Sequence, residues 1–225
     1  MAPRYLQVAI DGPAGTGKST VAKALAERLG LIFVDTGALY RCVALAALRA
    51  GLTLDQPDAI GALAQRVTIR FGDLHDGRQP VWLDGEDVTA AIRTPEVHGI
   101  VSPVSAIPAV RAALLEQQRA FATQGPVVME GRDIQTVVLP QAQVKVYLEA
   151  SVAERARRRF AELPAGSATL DEVTANIADR DQRDSSRANA PLKAADDAVR
   201  IDTDPLTVAQ VVERVAELAR RAGEE

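Results

Sequence analysis

Between Gly12 and Ser19 the chain reads Gly-Pro-Ala-Gly-Thr-Gly-Lys-Ser, a full match to G-x-x-x-x-G-K-[ST]. Each residue type has a task in holding phosphate. Gly12, Gly15 and Gly17 let the backbone curl through Pro13, Ala14 and Thr16 until its N–H groups face phosphate oxygens. A helix beginning near Lys18 and running on through Ser19 and Thr20 adds its partly positive N-terminal end. Lys18 can reach the β- and γ-phosphates, and the Ser19 hydroxyl can ligate Mg²⁺. Such a loop needs a buried strand before it and an amphipathic helix after it. The apolar run Leu6–Ile10 supplies the strand. The helix has Val21, Ala22, Leu25, Ala26 and Leu29 on one face and Gly30 as its stop. The stretch therefore reads as a nucleoside-triphosphate site.

A second set of charged residues follows other apolar runs. Asp35 and Arg41 come after Leu31–Val34, and Glu130, Arg132 and Asp133 after Val127–Met129. Arg155, Arg157, Arg158 and Arg159 come after Val144–Leu148. In an open parallel sheet, ligands bind beyond the carboxyl ends of the strands, so these groups should converge on the phosphate loop. So much guanidinium suits transfer of a phosphoryl group to a second phosphate, where the charge of two substrates must be balanced at once. Arg180 and Asp184 are spaced i, i+4 and Arg187 lies at i+7, so a continuing helix puts all three on one face. A carboxylate beside an arginine complements cytosine, whose exocyclic amine donates while N3 and O2 accept. Asp184 is read as that carboxylate, and uracil would face it with an acceptor. Arg157 and Arg183 are read as solvated.

These residues need a frame to hold them. The chain opens strand–loop–helix–strand–helix, the second helix spanning Ala38–Ala50, which predicts a parallel sheet flanked by helices. Val67–Phe71 and Pro80–Leu83 read as short strands of a small antiparallel insertion over 67–93. Pro108 opens a helix to about Ala122. Ala198–Ile201 reads as a fifth core strand. A helix from about Val152 to Glu162 and a break at 164–166 precede a helix from Leu170, for which Thr169 and Glu172 form a capping-box pattern. Asp204-Pro205 is expected to start the terminal helix.

Composition narrows the classes further. The 225 residues suit one α/β domain, and the net charge of −4 argues against a nucleic-acid polymer as partner. Of the 26 basic residues, 22 are arginine, whose planar fork grips phosphate. No apolar run is long enough for a membrane span, and no signal segment is evident. The lone Cys42 fits a buried thiol in a reducing cytoplasm, and a monomer is expected. His75 and His98 have no partners that would mark a metal site. An Asn-Lys-x-Asp guanine reader and a Ser-Gly-Gly loop are both absent, and the D-x-x-G match at Asp58–Gly61 falls in a helical stretch. These absences disfavour a nucleotide-dependent switch and a transport ATPase.

The segments Asp11–Thr20, Asp35-Thr36-Gly37-Ala38-Leu39-Tyr40-Arg41, Gly131-Arg132-Asp133 and Arg180–Arg187 together resemble the bacterial cytidylate kinases, over nearly the whole chain. The resemblance implies a P-loop NTPase fold with a five-stranded parallel sheet of order 2-3-1-4-5. It implies a core at about 1–64, 104–150 and 188–225, a monophosphate-binding insertion at 65–103 and a lid at 151–187. Thr36, Arg41, Ser102, Arg111, Arg132, Asp133, Arg180, Asp184 and Arg187 would contact CMP or dCMP, and Arg155, Arg158 and Arg159 would close over ATP. Ser19, with Asp35 acting through water, would hold Mg²⁺. Lys18, Arg132, Arg158 and Arg187 would stabilise the transferring group. Kinases for UMP, AMP or shikimate remain alternatives. Thr36 stands where serine is also found, and Gln135 where glycine is expected, which leaves the turn around Asp133 open.

Overall fold

The computed structural model describes residues 4–164 and 166–224; the expected domain ends at 1–3 and 225 and the centre of the 164–166 break lie outside them. Five strands form the parallel sheet: β1 (Gln7–Asp11), β2 (Ile32–Asp35), β6 (Val127–Gly131), β7 (Val144–Glu149) and β8 (Val199–Asp202). Their order is β2-β6-β1-β7-β8, which in core-strand numbering is the expected 2-3-1-4-5. Both faces are covered, so the strands read as continuous apolar runs rather than alternating ones. Val8 and Ile10 pack toward α1 (Lys18–Leu29) and α8 (Val208–Glu224), while Ala9 faces the other layer with Val34 and Met129. The small side chain at position 9 lets that layer, including the turn at Ile134, approach β1.

Helices α2 (Thr36–Arg49), α3 (Pro57–Ala64), α4 (Pro95–Ala106) and α5 (Pro108–Phe121) share a core with the insertion. The insertion is an antiparallel sheet of β3 (Ile69–Phe71), β4 (Val81–Leu83) and β5 (Glu86–Asp87). Its hairpin tip docks on the helix after the phosphate loop: Lys23 Nζ donates to the Gly77 carbonyl at 2.6 Å, and Gly77 N–H donates to Glu27 at 3.0 Å. The sequence reading did not include α4, which contains Gly99 and Pro103 and so lacks a regular propensity signal. Pro95 occupies its first turn, where the missing N–H costs no internal bond.

Helices α6 (Val152–Ala161) and α7 (Leu170–Ser185) form a hairpin with its own small apolar cluster of Ala156, Val173 and Ile177. The capping box at Thr169 and Glu172 is present. Two helix boundaries differ from expectation. α8 starts at Val208 because Asp204 instead accepts the N–H of Ser151 at 3.1 Å, and Thr207 Oγ1 takes the first-turn N–H of Gln210 at 3.3 Å. α7 ends at Ser185, so Arg187 does not lie on the helix that carries Arg180 and Asp184. Among the described residues no single helix is long and apolar enough to cross a membrane.

Candidate active site

The phosphate loop is built by backbone. Gly12 adopts φ +150°, and a Cβ there would overlap the carbonyl oxygen of Leu148 on β7. Gly17 caps α1 in the left-handed region and has no side chain to satisfy the first-turn N–H groups, which stay available to phosphate oxygens. Lys18 folds over the loop, its Nζ donating to Pro13 O at 2.6 Å and to Thr16 Oγ1 at 3.4 Å. Burial and the nearby Arg132 guanidinium push Lys18 down to about 7. Ser19 and Thr20 are exposed at the loop's mouth.

Arg155 underlies this loop rather than standing free beside it. Its guanidinium donates to Ala14 O at 3.2 Å and to Ala150 O at 3.0 Å, and pairs with Asp181 of α7 at 2.6 Å. Its Cβ packs so close to Gly15 that a side chain there would press on it. Arg158 donates to Glu154 at 2.8 Å and to the Thr203 hydroxyl and carbonyl at 3.1 and 2.9 Å. Arg159 pairs with Glu162 at 3.0 Å on the surface.

Asp35 caps α2 through the Ala38 N–H at 3.1 Å and pairs with Arg41 at 2.6 Å. Burial acts to raise its carboxyl, but Arg41 and Arg93 outweigh it and hold the group below the usual range. Thr36 donates to Glu130 O at 2.7 Å, joining the starts of α2 and the end of β6. Glu130 stands opposite Asp35 in the β2–β6 register and beside the Ser19 hydroxyl. Burial and the Asp35 charge raise its carboxyl. The sequence reading grouped Glu130 with the strand-end charges but gave it no task.

Asp184 gathers three guanidinium groups: Arg187 at 2.5 Å, Arg132 at 3.0 Å and Arg180 at 4.0 Å. Burial favours its neutral form, yet Arg132, Arg187 and Arg180 hold the carboxyl below its ordinary value. Burial and Arg132 push Arg180 down to about 10. Arg187 also reaches Ser105 Oγ at 2.9 Å, whose hydroxyl donates to the carbonyl of Ser102 at 2.8 Å. Both oxygens of Asp184 are thus engaged by guanidinium groups. The expectation that Arg187 shares a helix face was incorrect, yet its side chain folds back to the same carboxylate.

Arg111 and Asp133 form a separate pair, joined through Arg111 Nη2 and Asp133 Oδ2. Burial raises the Asp133 carboxyl despite Arg111. The pair lines a cavity of about 330 Å³ with Tyr40, Leu115, Val137 and Ala190. The Arg111 guanidinium lies 5.5 Å from the Tyr40 ring centroid. Asp11, with no charge assigned in the sequence reading, joins the two halves of the site. Its fully buried carboxylate accepts the N–H groups of Ile134 and Gln135 at 3.0 and 2.9 Å, bolting the turn after Asp133 to the strand that enters the phosphate loop.

Buried side-chain atoms without a protein partner concentrate here. Among the described residues they are Arg41 Nε, Glu130 Oε1, Arg180 Nε and Asp181 Oδ1, with Gln117 Oε1 elsewhere. Native proteins rarely bury such atoms unpaired, so their clustering marks a ligand cleft. A curled glycine loop at a sheet's carboxyl edge, faced by arginines, defines a P-loop phosphotransferase.

Comparison with known proteins refines that class. The family model described as Cytidylate kinase matches residues 8–221. The cytidylate kinase of Limosilactobacillus fermentum is 51% identical over 216 residues, covering 94% of each chain. That of Syntrophotalea carbinolica is 50% identical over 217 residues, covering 96% of this chain and 92% of its own. Among solved structures, an uncharacterized protein from Eubacterium ventriosum shares the fold at TM-score 0.54 and 10% identity, over 97% of this chain and 99% of that one. The chain belongs to the cytidylate kinase family, and its enzyme class is that of an ATP-dependent nucleoside-monophosphate kinase.

Proposed function

We propose that the chain transfers the γ-phosphoryl group of ATP to CMP or dCMP, giving ADP and the pyrimidine diphosphate. An acceptor phosphate oxygen attacks the γ-phosphorus in line as the bond to the β,γ-bridging oxygen breaks, and ADP leaves with that electron pair. The loop amides and Lys18 hold the donor. Arg41, Arg132 and Arg187 hold the acceptor phosphate, with Arg180 beside them and Asp184 keeping their guanidinium groups in place. Thr36 fixes the strand ends between the two. The acceptor is already anionic, so no strong general base is needed.

The observation that carries the cytosine reading is the Arg111–Asp133 pair on the wall of an apolar cavity. Asp133 complements the exocyclic amine, and Arg111 complements N3 and O2. Ser102 lies on α4, whose Ser105 meets Arg187 and Arg111. The amine-reading role thereby passes from Asp184 to Asp133.

The oxygen donors suit Mg²⁺: the Ser19 hydroxyl, the Glu130 carboxylate with its unpartnered oxygen, and Asp35 through water. Magnesium held there would offset the negative charge that the donor phosphates carry during transfer. The α6–α7 hairpin, within the lid at 151–187, is the part that closes; Arg158 and Arg159 then neutralise donor charge while Arg155 supports the loop from below. Closure excludes water, which would otherwise consume ATP. All these groups come from one chain, so a monomer suffices, with free nucleotides as its partners.

A coupled ADP-release assay across CMP, dCMP, UMP, AMP and shikimate tests the reading. CMP and dCMP should be turned over, with kcat/KM for UMP about a hundredfold lower. Equal use of UMP and CMP would remove the base-reading pair.

A further inference from the structure

Gln135, in the turn after Asp133, is 1% exposed. Its amide bridges two otherwise separate segments: Nε2 donates to Val146 O on β7 at 3.4 Å, and Oε1 accepts the Ala195 N–H at 3.0 Å. Its own N–H is one of the two held by Asp11. The residue therefore sits at a junction of the phosphate-loop strand, the next strand and the crossover from α7 to β8.

That crossover carries acceptor-site groups. Arg187 leaves it to reach Asp184 and Ser105, and Asn189 and Ala190 line the cavity of the Arg111–Asp133 pair. Ala190 has φ +52°, a conformation that a non-glycine residue keeps only when its surroundings impose it. The crossover has no regular structure to impose it. Its main chain is tied back by Leu192 N–H on the Asp184 carbonyl at 2.9 Å and by Ala195 N–H on Gln135. A second cavity of about 500 Å³, lined by Gln135, Lys193 and Ala195, shares Val137 and Ala190 with the first. Beside that open space, the buried Leu192, the Lys145–Asp197 pair at 2.7 Å and the hydrogen bonds of Gln135 set the crossover's distance from the core.

We infer that Gln135 is a positioning residue for the acceptor site, holding the 186–198 crossover so that Arg187 and the base-cavity wall stand at a fixed distance from the phosphate loop. A glycine at this position could make only the main-chain bond to Asp11. The role is selective: the phosphate loop itself is shaped by Gly12, Gly17 and Arg155, none of which Gln135 touches through its side chain.

The inference rests on the cytidylate reading, so wild-type turnover of CMP is measured first, and its absence overturns that reading irrespective of Gln135. Gln135→Met keeps the volume and loses both side-chain hydrogen bonds; KM for CMP should rise about tenfold, with kcat and KM for ATP within about twofold. Gln135→Glu is the conservative variant. Protonated, its carboxyl donates to Val146 O and accepts from Ala195 N–H as the amide does; ionised, it has no donor and buries a charge. The ratio of its KM for CMP to the wild-type value should therefore be near one at about pH 5.5 and climb severalfold by about pH 8.5. A Met variant with unchanged KM for CMP and a lowered melting temperature overturns the inference, as does an equal rise for both substrates. A ratio for the Glu variant that ignores pH overturns it independently, and decides the matter should the Met variant fail to fold.

Discussion

On the proposed function, the phosphate loop and the acceptor cleft solve the same problem, holding phosphate, in opposite ways. The loop uses main-chain N–H groups within one short segment, fixed by glycines and by Arg155 beneath, with a single cation in Lys18. The cleft uses side chains from six segments, α2, α4, α5, the turn after β6, α7 and the crossover, and balances guanidinium groups against Asp35, Asp133 and Asp184. Peptide dipoles carry no net charge to desolvate, so they can wait unpaired at a helix end. Buried guanidinium groups cannot, and each carboxylate keeps them in place until a phosphate arrives. The same carboxylates let the cleft discriminate, since a rigid array of acceptors and donors can reject a wrong base where a ring of amides cannot.

The sharpest way to break the contrast is to remove the loop's only cation. Lys18→Ala should lower kcat by about a thousandfold while the circular dichroism spectrum and melting temperature stay near wild type. Retained activity would show that backbone alone suffices. Next in size is the carboxylate joining the two regions. Burial, partly offset by the two N–H donors, pushes Asp11 up to about 6. A carboxyl raised in the folded state gives stability that is complete below its unfolded value near 4 and is lost as pH rises through 6. Relative to Asp11→Asn, whose side chain does not titrate, wild-type stability should therefore fall by about 3 kcal/mol between pH 4 and 7. Urea denaturation of both proteins across that range measures it; a constant difference would contradict the buried charge.

The contrast also explains what could be read from residue order alone. The loop was legible because its parts are adjacent, and the sheet because doubly covered strands appear as uninterrupted apolar runs ending in charge. The cleft was legible only as a list of arginines and carboxylates. Which carboxylate faces which arginine depends on where α7 stops, and the helix ends at Ser185 before it can carry Arg187. Asp11 was missed as a brace because its partners, the N–H groups of Ile134 and Gln135, lie far along the chain and carry no side-chain signal. Helix α4 was missed because Gly99 and Pro103 mask its period, and packing against α2 and α5 overrides their propensity.

Within the cleft, base reading and phosphate anchoring should separate. If Asp133 accepts the cytosine amine as proposed, Asp133→Ala should shrink the preference for CMP over UMP by about a hundredfold, chiefly through loss of CMP turnover. Unchanged preference would return the amine-reading role to another group.

Arg187→Ala gives the smallest effect and the finest division. Arg187 is half-buried, and desolvation with its cationic neighbours lowers its guanidinium pKa despite Asp184. Its removal leaves Asp184 still paired with Arg132 and near Arg180, so no carboxylate is stranded and the fold should persist. On the proposed function, what is lost is one charged donor to the acceptor phosphate. KM for CMP should rise about tenfold, the equivalent of about 1.4 kcal/mol, for CMP and UMP alike, because a phosphate contact does not see the base. KM for ATP should stay within about twofold. A rise confined to ATP would place Arg187 with the loop instead of the cleft, and a rise for CMP but not UMP would make it part of the base reader.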